Sequence, residues 1–340
     1  MAVQHSLPSA RLPAPLLKAW RQWRQQLAPS AAKAKIEPLA FDASVRRYFR
    51  VKGQGLILTW DPLLKKSDRQ LVIYKILAQH KIPVPTIYFA HPEQGVLLQA
   101  DGGISTLLPV VAAAKNQWPW LKKALTILSR CHQIDLASYN HSPFRKECFD
   151  EAKLMMEVDF TLTYFARQLL QATSAECHAL RRSWQKLCRT LAEGPWVLVH
   201  RDFHTRNLVV QGRKLAVVDY QDARLGLPQY DLASLFYDAY FAWDARNLAR
   251  GLAYYWKISP KVRALFKNKK KVFQQKLQMM AAQRLFKALG TFAYQMVQRK
   301  NPRYLKYIGH TMANLRQVLA GQKKWQKLYQ QICQLYYPRS

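Results

Sequence analysis

Residues 196–219 read WVLVHRDFHTRNLVVQGRKLAVVD, and the change of texture inside this stretch decides how the chain is organised. Two short apolar runs, WVLV at 196–199 and LAVVD at 215–219, flank a polar loop and a turn at Gln211-Gly212. Runs of that length, rich in branched residues and bounded by turn formers, read as strands. The stretch is therefore a strand, a polar loop and a hairpin ending on a carboxylate, Asp219. Inside the loop, HRDFHTRN at 200–207 sets Asp202 and Asn207 five residues apart. Phosphoryl transfer needs a carboxylate to orient the attacking hydroxyl and oxygen donors to hold magnesium against the phosphates. Asp202 suits the first task, Asn207 and Asp219 the second. Each residue alone carries little; the ordered set HRDxxxxN followed by VVD carries the expectation.

The other polar residues of the loop divide by chemistry. His200 and His204 stand four apart, but in this loop setting His200 is better assigned to bracing the loop through hydrogen bonds. His204 is a candidate to approach the substrate or the phosphates, and Arg206 is a candidate catalytic cation beside the transferred phosphate.

Toward the N-terminus, residues 40–105 offer three strand candidates, RRYFRV at 46–51, GLILTW at 55–60 and GVLLQA at 95–100. Between the last two, DRQLVIYKILAQHK at 68–81 repeats apolar residues at helical spacing, and Pro83 and Pro85 stop it. Strand, strand, helix, strand makes a small mixed lobe, preceded by an extension, 1–39, in which LLKAWRQWRQQL forms a short amphipathic helix. Residues 106–340 are mainly helical, with helices expected over 118–134, 149–170, 173–192, 231–257, 272–298 and 303–319 and a tyrosine-rich last piece over 322–336. The expected fold is α+β and bilobal, a small nucleotide-binding lobe and a larger helical lobe with a cleft between them.

Composition limits the partners. With 340 residues, 49% of them hydrophobic, the chain is long enough for two cores. Its 53 Lys and Arg against 20 Asp and Glu give +33, which favours anionic partners: nucleotide, acidic metabolite, anionic surface or nucleic acid. The apolar run LLPVVAAA at 107–114 is too short to cross a bilayer, and no basic terminus with a compact apolar core precedes a cleavage site, so a cytoplasmic setting without an integral membrane segment is expected. Cys131, Cys148, Cys177, Cys188 and Cys333 follow no metal-ligand rhythm and read as reduced.

Several stretches together carry a resemblance: DASVRRYFRV at 42–51, FDEAKLMMEVDFTLTYF at 149–165, VHRDFHTRNLVV at 199–210, VVDYQDARLGLPQYDLASLFYDAY at 217–240 and QRLFKALGTFAYQMVQRKNPRYLKYI at 283–308. With these the chain resembles the aminoglycoside phosphotransferase-like (choline kinase-like) family. Within it, the chain most resembles the bacterial anomeric kinases of N-acetylmuramate and N-acetylglucosamine that serve cell-wall recycling. The resemblance implies a protein-kinase-like bilobal fold, ATP and Mg2+ as cofactors, and an amino sugar as the small hydroxylated substrate. It implies Asp202 as catalytic base and Asn207 and Asp219 as magnesium ligands. Asp222 would lie close to the metal, Asp231 would tie the following helix to the loop, and Glu157 would project toward the acceptor pocket, a solvated helix position being the competing account.

The resemblance has two departures. The strand GLILTW lacks the lysine usually sought there for phosphate, so Arg46, Arg47 and Ser44 become the candidates. Where the family has an acidic hinge, this chain reads LLQADGG at 97–103, with Gln99 at the nucleotide-facing position and Asp101 as a possible replacement carboxylate. Two alternatives stay open: the same fold acting on an amino-alcohol, aminoglycoside or amino-acid hydroxyl, and a catalytically weak basic scaffold that binds membrane or nucleic acid.

Overall fold

The structure is a computed structural model that describes residues 12–27, 29–39, 46–64, 69–139 and 147–337. It has the bilobal α+β arrangement, and its two compact units are residues 1–105 with 209–221, and residues 106–208 with 222–340.

The first unit is built on a five-stranded antiparallel sheet of β1 (Ile36–Pro38), β2 (Arg47–Val51), β3 (Leu56–Trp60), β4 (Ile87–His91) and β5 (Val96–Ala100), in the order β1-β2-β3-β5-β4. In register, Phe49 faces Leu58 and Leu58 faces Leu98. The two-residue period of strands puts Phe49, Val51, Leu56, Leu58, Val96 and Leu98 on one face. The helix Ala14–Trp23 covers that face with Leu16, Ala19, Trp20 and Trp23, which recur at helical spacing. Trp23 stacks on Phe89 at 5.8 Å and on His91 at 5.4 Å between centroids.

The sequence predicts the three inner strands and misses both edges. β1 falls inside the stretch 1–39 set apart above as an extension, yet it pairs with β2 through Ile36↔Val51. β4 follows Pro83 and Pro85, where the sequence suggests only the stop of a helix. Edge strands bury one side at most, so their apolar pattern is weaker. The hairpin strands Leu208–Gln211 and Lys214–Val217 turn at Gly212, whose φ of +57° suits glycine. Its residues from 209 onward group with the sheet unit rather than the helical one, and Val217 N donates to Pro83 O at 2.7 Å.

In the second unit the 28-residue helix Lys270–Val297 is the centre, packed by Leu305–Ala320, Gln229–Phe236 and Glu151–Thr161. It buries residues all round, including Phe273, Leu277, Met280, Phe286, Leu289 and Phe292, as expected of a helix enclosed by others. The helix expected over 149–170 continues past Thr161 as a wider π-helical stretch, Leu162–Leu169. The helix expected over 231–257 is two, Gln229–Phe236 and Ala245–Ile258, the second capped by Asp244 accepting from Asn247 N at 2.6 Å. A short antiparallel ribbon pairs Val197–Val199 with Arg224–Gly226, all buried, and delivers the chain to His200. No helix among the described residues is long and apolar enough to cross a membrane.

Candidate active site

The loop 200–207 is fixed by carboxylates from the helices that follow it. Asp231 is fully buried; its Oδ2 accepts from His200 N at 2.7 Å and its Oδ1 from Arg201 N at 2.9 Å. His132 approaches Oδ2 through Nε2 at 3.3 Å, and its Nδ1 meets the Tyr255 hydroxyl at 2.6 Å. Arg201 has φ +84°, a costly conformation for a residue with a side chain, and the two hydrogen bonds to Asp231 hold it there. Farther along, Asp238 Oδ2 accepts from Thr205 N at 2.9 Å and from Thr205 Oγ1 at 2.6 Å. Asn207 Nδ2 donates to Asp202 O at 3.0 Å, so the atom this side chain has to offer a cation is its carbonyl oxygen.

Asp202, at the middle of the loop, meets two cations from one face of the long helix. Arg284 Nη2 lies 3.2 Å and Lys287 Nζ 3.5 Å from the same oxygen, Oδ1. Burial alone would raise the Asp202 carboxyl; Lys287, Arg284, Arg201 and His204 outweigh it and hold the carboxyl well below the usual carboxylate range. Burial also pushes the Lys287 ammonium below its ordinary value. Behind them, Arg284 Nη1 donates to Tyr230 Oη at 2.9 Å, and Tyr230 Oη lies 3.3 Å from both Glu157 carboxylate oxygens. Gln283 Nε2 donates to Glu157 Oε2 at 3.0 Å, and Arg201 stands 3.8 Å from Oε1. Glu157 is thus 4% exposed and hydrogen-bonded inside the unit, which removes the solvated account.

His204 lines a cavity together with Asp202, Tyr240, Arg284, Lys287 and Thr291 among others. His204 meets the Tyr240 ring edge-on at 5.4 Å, and Arg206 lies over the same ring at 4.6 Å. His200 is buried against Phe203. Asp222 is half exposed and pairs with Arg201 Nη1 at 3.5 Å.

Within the first unit, Arg46 bridges two carboxylates, with Nε 2.6 Å from Asp61 Oδ2 and Nη1 3.2 Å from Asp219 Oδ1. Asp219 has φ +63° and also accepts from Gln221 Nε2 at 2.7 Å. Arg47 places its guanidinium 5.3 Å from the Phe49 ring centroid. Gln99 lies on β5 in register with Ile57 and Ile87. Asp101 is engaged by Arg50, with Nε 2.6 Å from Oδ2. Ser44 lies outside the described residues.

Arg284, Lys287, Tyr230 and Gln283 were not singled out in the sequence, although QRLFK at 283–287 carried a signal: two cations one turn apart between the apolar runs MMAA and LF. The Asn207 carbonyl oxygen and the Asp219 carboxylate are hard oxygen donors of the type magnesium takes, one in each unit. No cluster of three or more His, Cys, Asp or Glu side chains among the described residues offers a self-sufficient cage.

This chain is similar to two curated enzymes called N-acetylmuramate/N-acetylglucosamine kinase. The one from Pseudomonas aeruginosa is 32% identical over 280 residues, 80% of each chain, and the one from Pseudomonas putida 29% identical over 303 residues, 86% of each. Among solved structures, an aminoglycoside phosphotransferase with ADP bound aligns at a TM-score of 0.57 and 14% identity, covering 96% of this chain and 99% of that one. The profile of the phosphotransferase enzyme family matches residues 35–265. Spanning more than half of the chain, that match makes the protein a member of the phosphotransferase enzyme family and a small-molecule kinase.

Proposed function

We propose that the enzyme transfers the terminal phosphoryl group of ATP to the anomeric hydroxyl of N-acetylmuramate, N-acetylglucosamine or both. The observation that carries the reading is the arrangement of Asp202. Its Oδ1 is taken by Arg284 and Lys287, while Oδ2 has no hydrogen-bond partner among the described residues and belongs to a side chain that lines a cavity. A sugar hydroxyl donating to Oδ2 is thereby oriented for attack. The similarity to the two Pseudomonas kinases supports the amino sugars among hydroxyl acceptors.

In this mechanism Asp202 orients the acceptor and receives its proton. Arg206 and His204 are assigned to the transferring group, and Arg46, Arg47, Ser44 and Gln99 to the nucleotide. Asn207 and Asp219 would hold magnesium, with Asp222 close by; when bound, the ion offsets negative charge on the phosphates. Glu157, His200 and Asp231 act through the loop rather than on the substrate. A cytoplasmic setting, where ATP is the donor and recycled wall sugars are the acceptors, belongs to the same proposal.

The test is transfer of labelled terminal phosphate from ATP, with magnesium, to a panel of N-acetylmuramate, N-acetylglucosamine, other sugars, choline and an aminoglycoside, with Asp202→Asn alongside. Transfer to the N-acetyl sugars that the variant loses supports the reading. Transfer only to choline or the aminoglycoside refutes the sugar assignment and keeps the chemistry.

A further inference from the structure

We propose that Lys287, backed by Arg284, is an anion subsite that gives the enzyme a preference for an acceptor carrying a carboxylate on the same sugar as its reacting hydroxyl. The inference rests on the reading of Asp202 as the residue that orients the acceptor, and it extends that reading from the reacting atom to the rest of the substrate.

The hydrogen bonding of the cations around the cavity carries it. Asp202 is the one carboxylate among the residues that line it, and Arg284 and Lys287 supply two cations. Arg201, behind the lining, is balanced by Glu157 and Asp222. Charge alone leaves no cation over, since Arg201, Arg284 and Lys287 face Asp202, Glu157 and Asp222; what is left over is hydrogen-bonding capacity toward the cavity. It belongs to Lys287 rather than Arg284, because the guanidinium is already fixed by Tyr230 Oη at 2.9 Å, by the Tyr230 ring at 4.6 Å and by Asp202 at 3.2 Å. The Lys287 ammonium has three N–H donors, and its one hydrogen-bond partner among the described residues is the oxygen already taken by Arg284, at a long 3.5 Å. A half-buried ammonium with donors to spare favours an anion. A neutral sugar gains nothing from it, and a cationic acceptor is repelled.

The geometry fits a carboxylate on a substituent of the ring that bears the reacting hydroxyl. Lys287 Nζ lies 3.5 Å from Asp202 Oδ1, the oxygen next to the one proposed for the hydroxyl, so a hydroxyl on Oδ2 and a carboxylate on Lys287 can belong to one substituted sugar. Thr291, one turn beyond Lys287, adds a hydroxyl to the same wall. N-acetylmuramate has such a carboxylate and N-acetylglucosamine does not, so the pair isolates the subsite.

The experiment measures kcat/KM for both sugars with the native enzyme, Lys287→Gln and Lys287→Arg. Native enzyme should prefer N-acetylmuramate. Lys287→Gln should lower the ratio of the two values about tenfold to a hundredfold, chiefly through KM for N-acetylmuramate, and Lys287→Arg should restore most of it. An equal loss on both sugars in Lys287→Gln overturns the inference, because the lysine then acts only on Asp202. If the native enzyme uses neither sugar but another acceptor, the sugar assignment fails separately. The subsite then stands only if that acceptor carries a carboxylate whose recognition Lys287→Gln removes, and a neutral or cationic acceptor overturns it.

Discussion

Replacing Gly290 by alanine would push the helix that carries Arg284 and Lys287 away from the helix that carries Glu157. A Cβ added at Gly290 would stand 2.7 Å from Thr161 Cα and 2.9 Å from Thr161 Cβ, with the Thr161 hydroxyl oxygen closer still. The obstacle is backbone and the foot of a fully buried side chain, so no rotamer relieves it. Thr161 is also bonded across the contact, with Oγ1 donating to Phe286 O at 3.1 Å. Overpacking a core costs about 1–3 kcal/mol, and a rigid obstacle argues for the upper end. Alanine gains about 1 kcal/mol over glycine in helix propensity. The net expectation is a loss of about 2 kcal/mol, or about 4–8 °C in the midpoint for a unit of this size. Gly290 lies one turn beyond Lys287, so the same displacement shifts both cations at Asp202, and kcat should fall about tenfold. Thermal unfolding followed by circular dichroism, with initial rates on the same samples, checks both. A midpoint equal to or above that of the native chain would mean that propensity outweighs contact, and the close approach of the two helices would be refuted.

Three further outcomes follow from single contacts. Asp231→Asn offers its amide where His200 N or Arg201 N needs an acceptor; the orphaned buried donor should cost about 1–3 kcal/mol, and kcat should fall with KM little changed, which steady-state kinetics beside denaturant unfolding would separate. Asp202→Asn should destabilise at neutral pH: the native carboxyl is depressed, so its contribution is complete above its unfolded value of about 3.9 and is lost only as pH falls toward the folded value. Melting curves across pH in which the difference has already vanished at about pH 6 would contradict that assignment. Arg46→Ala leaves the buried Asp61 without its ion-pair partner and releases Asp219, so about 3 kcal/mol of stability should go together with a raised KM for ATP, and Arg46→Lys should recover little because one ammonium cannot fork between two carboxylates.

What was legible in the sequence is what lies close along the chain. Asp202, Asn207 and Asp219 fall within one strand-loop-hairpin, so their order alone suggests phosphoryl transfer. β2, β3 and β5 are inner strands that each bury at least two apolar residues, and each stands out from its surroundings. β1 and β4 are edges: Ile36–Pro38 has no fully buried residue and neither has Ile87–His91, so nothing in their apolar pattern separates them from loop. The cations at Asp202 arrive by tertiary packing, 82 and 85 residues away, and a helix pattern cannot tell which neighbour a polar face will meet. Glu157 is the converse case. Its helix gives almost no sidedness to read, and only the neighbours Tyr230, Gln283 and Arg201 make it an interior acceptor rather than a surface charge.

A carboxylate so strongly held in its ionised form would be a poor general base, since such a group works best with a pKa near the working pH. For phosphoryl transfer this is no handicap. The transition state is loose in most analyses, bond formation to the attacking oxygen is slight, and the hydroxyl proton can leave late, so Asp202 contributes more by aiming the O–H than by pulling on it. Two cations on Oδ1 fix the plane of the carboxylate and leave Oδ2 for the acceptor proposed above. They also keep Asp202 ionised wherever ATP and magnesium are usable, so orientation is constant across that range. An anomeric hydroxyl suits such a weak base better than an ordinary alcohol does, because the ring oxygen withdraws electron density and makes the hydroxyl more acidic. The arrangement that lowers the basicity of Asp202 and the acceptor proposed for it therefore support one another, and both depend on the same turn of the helix Lys270–Val297.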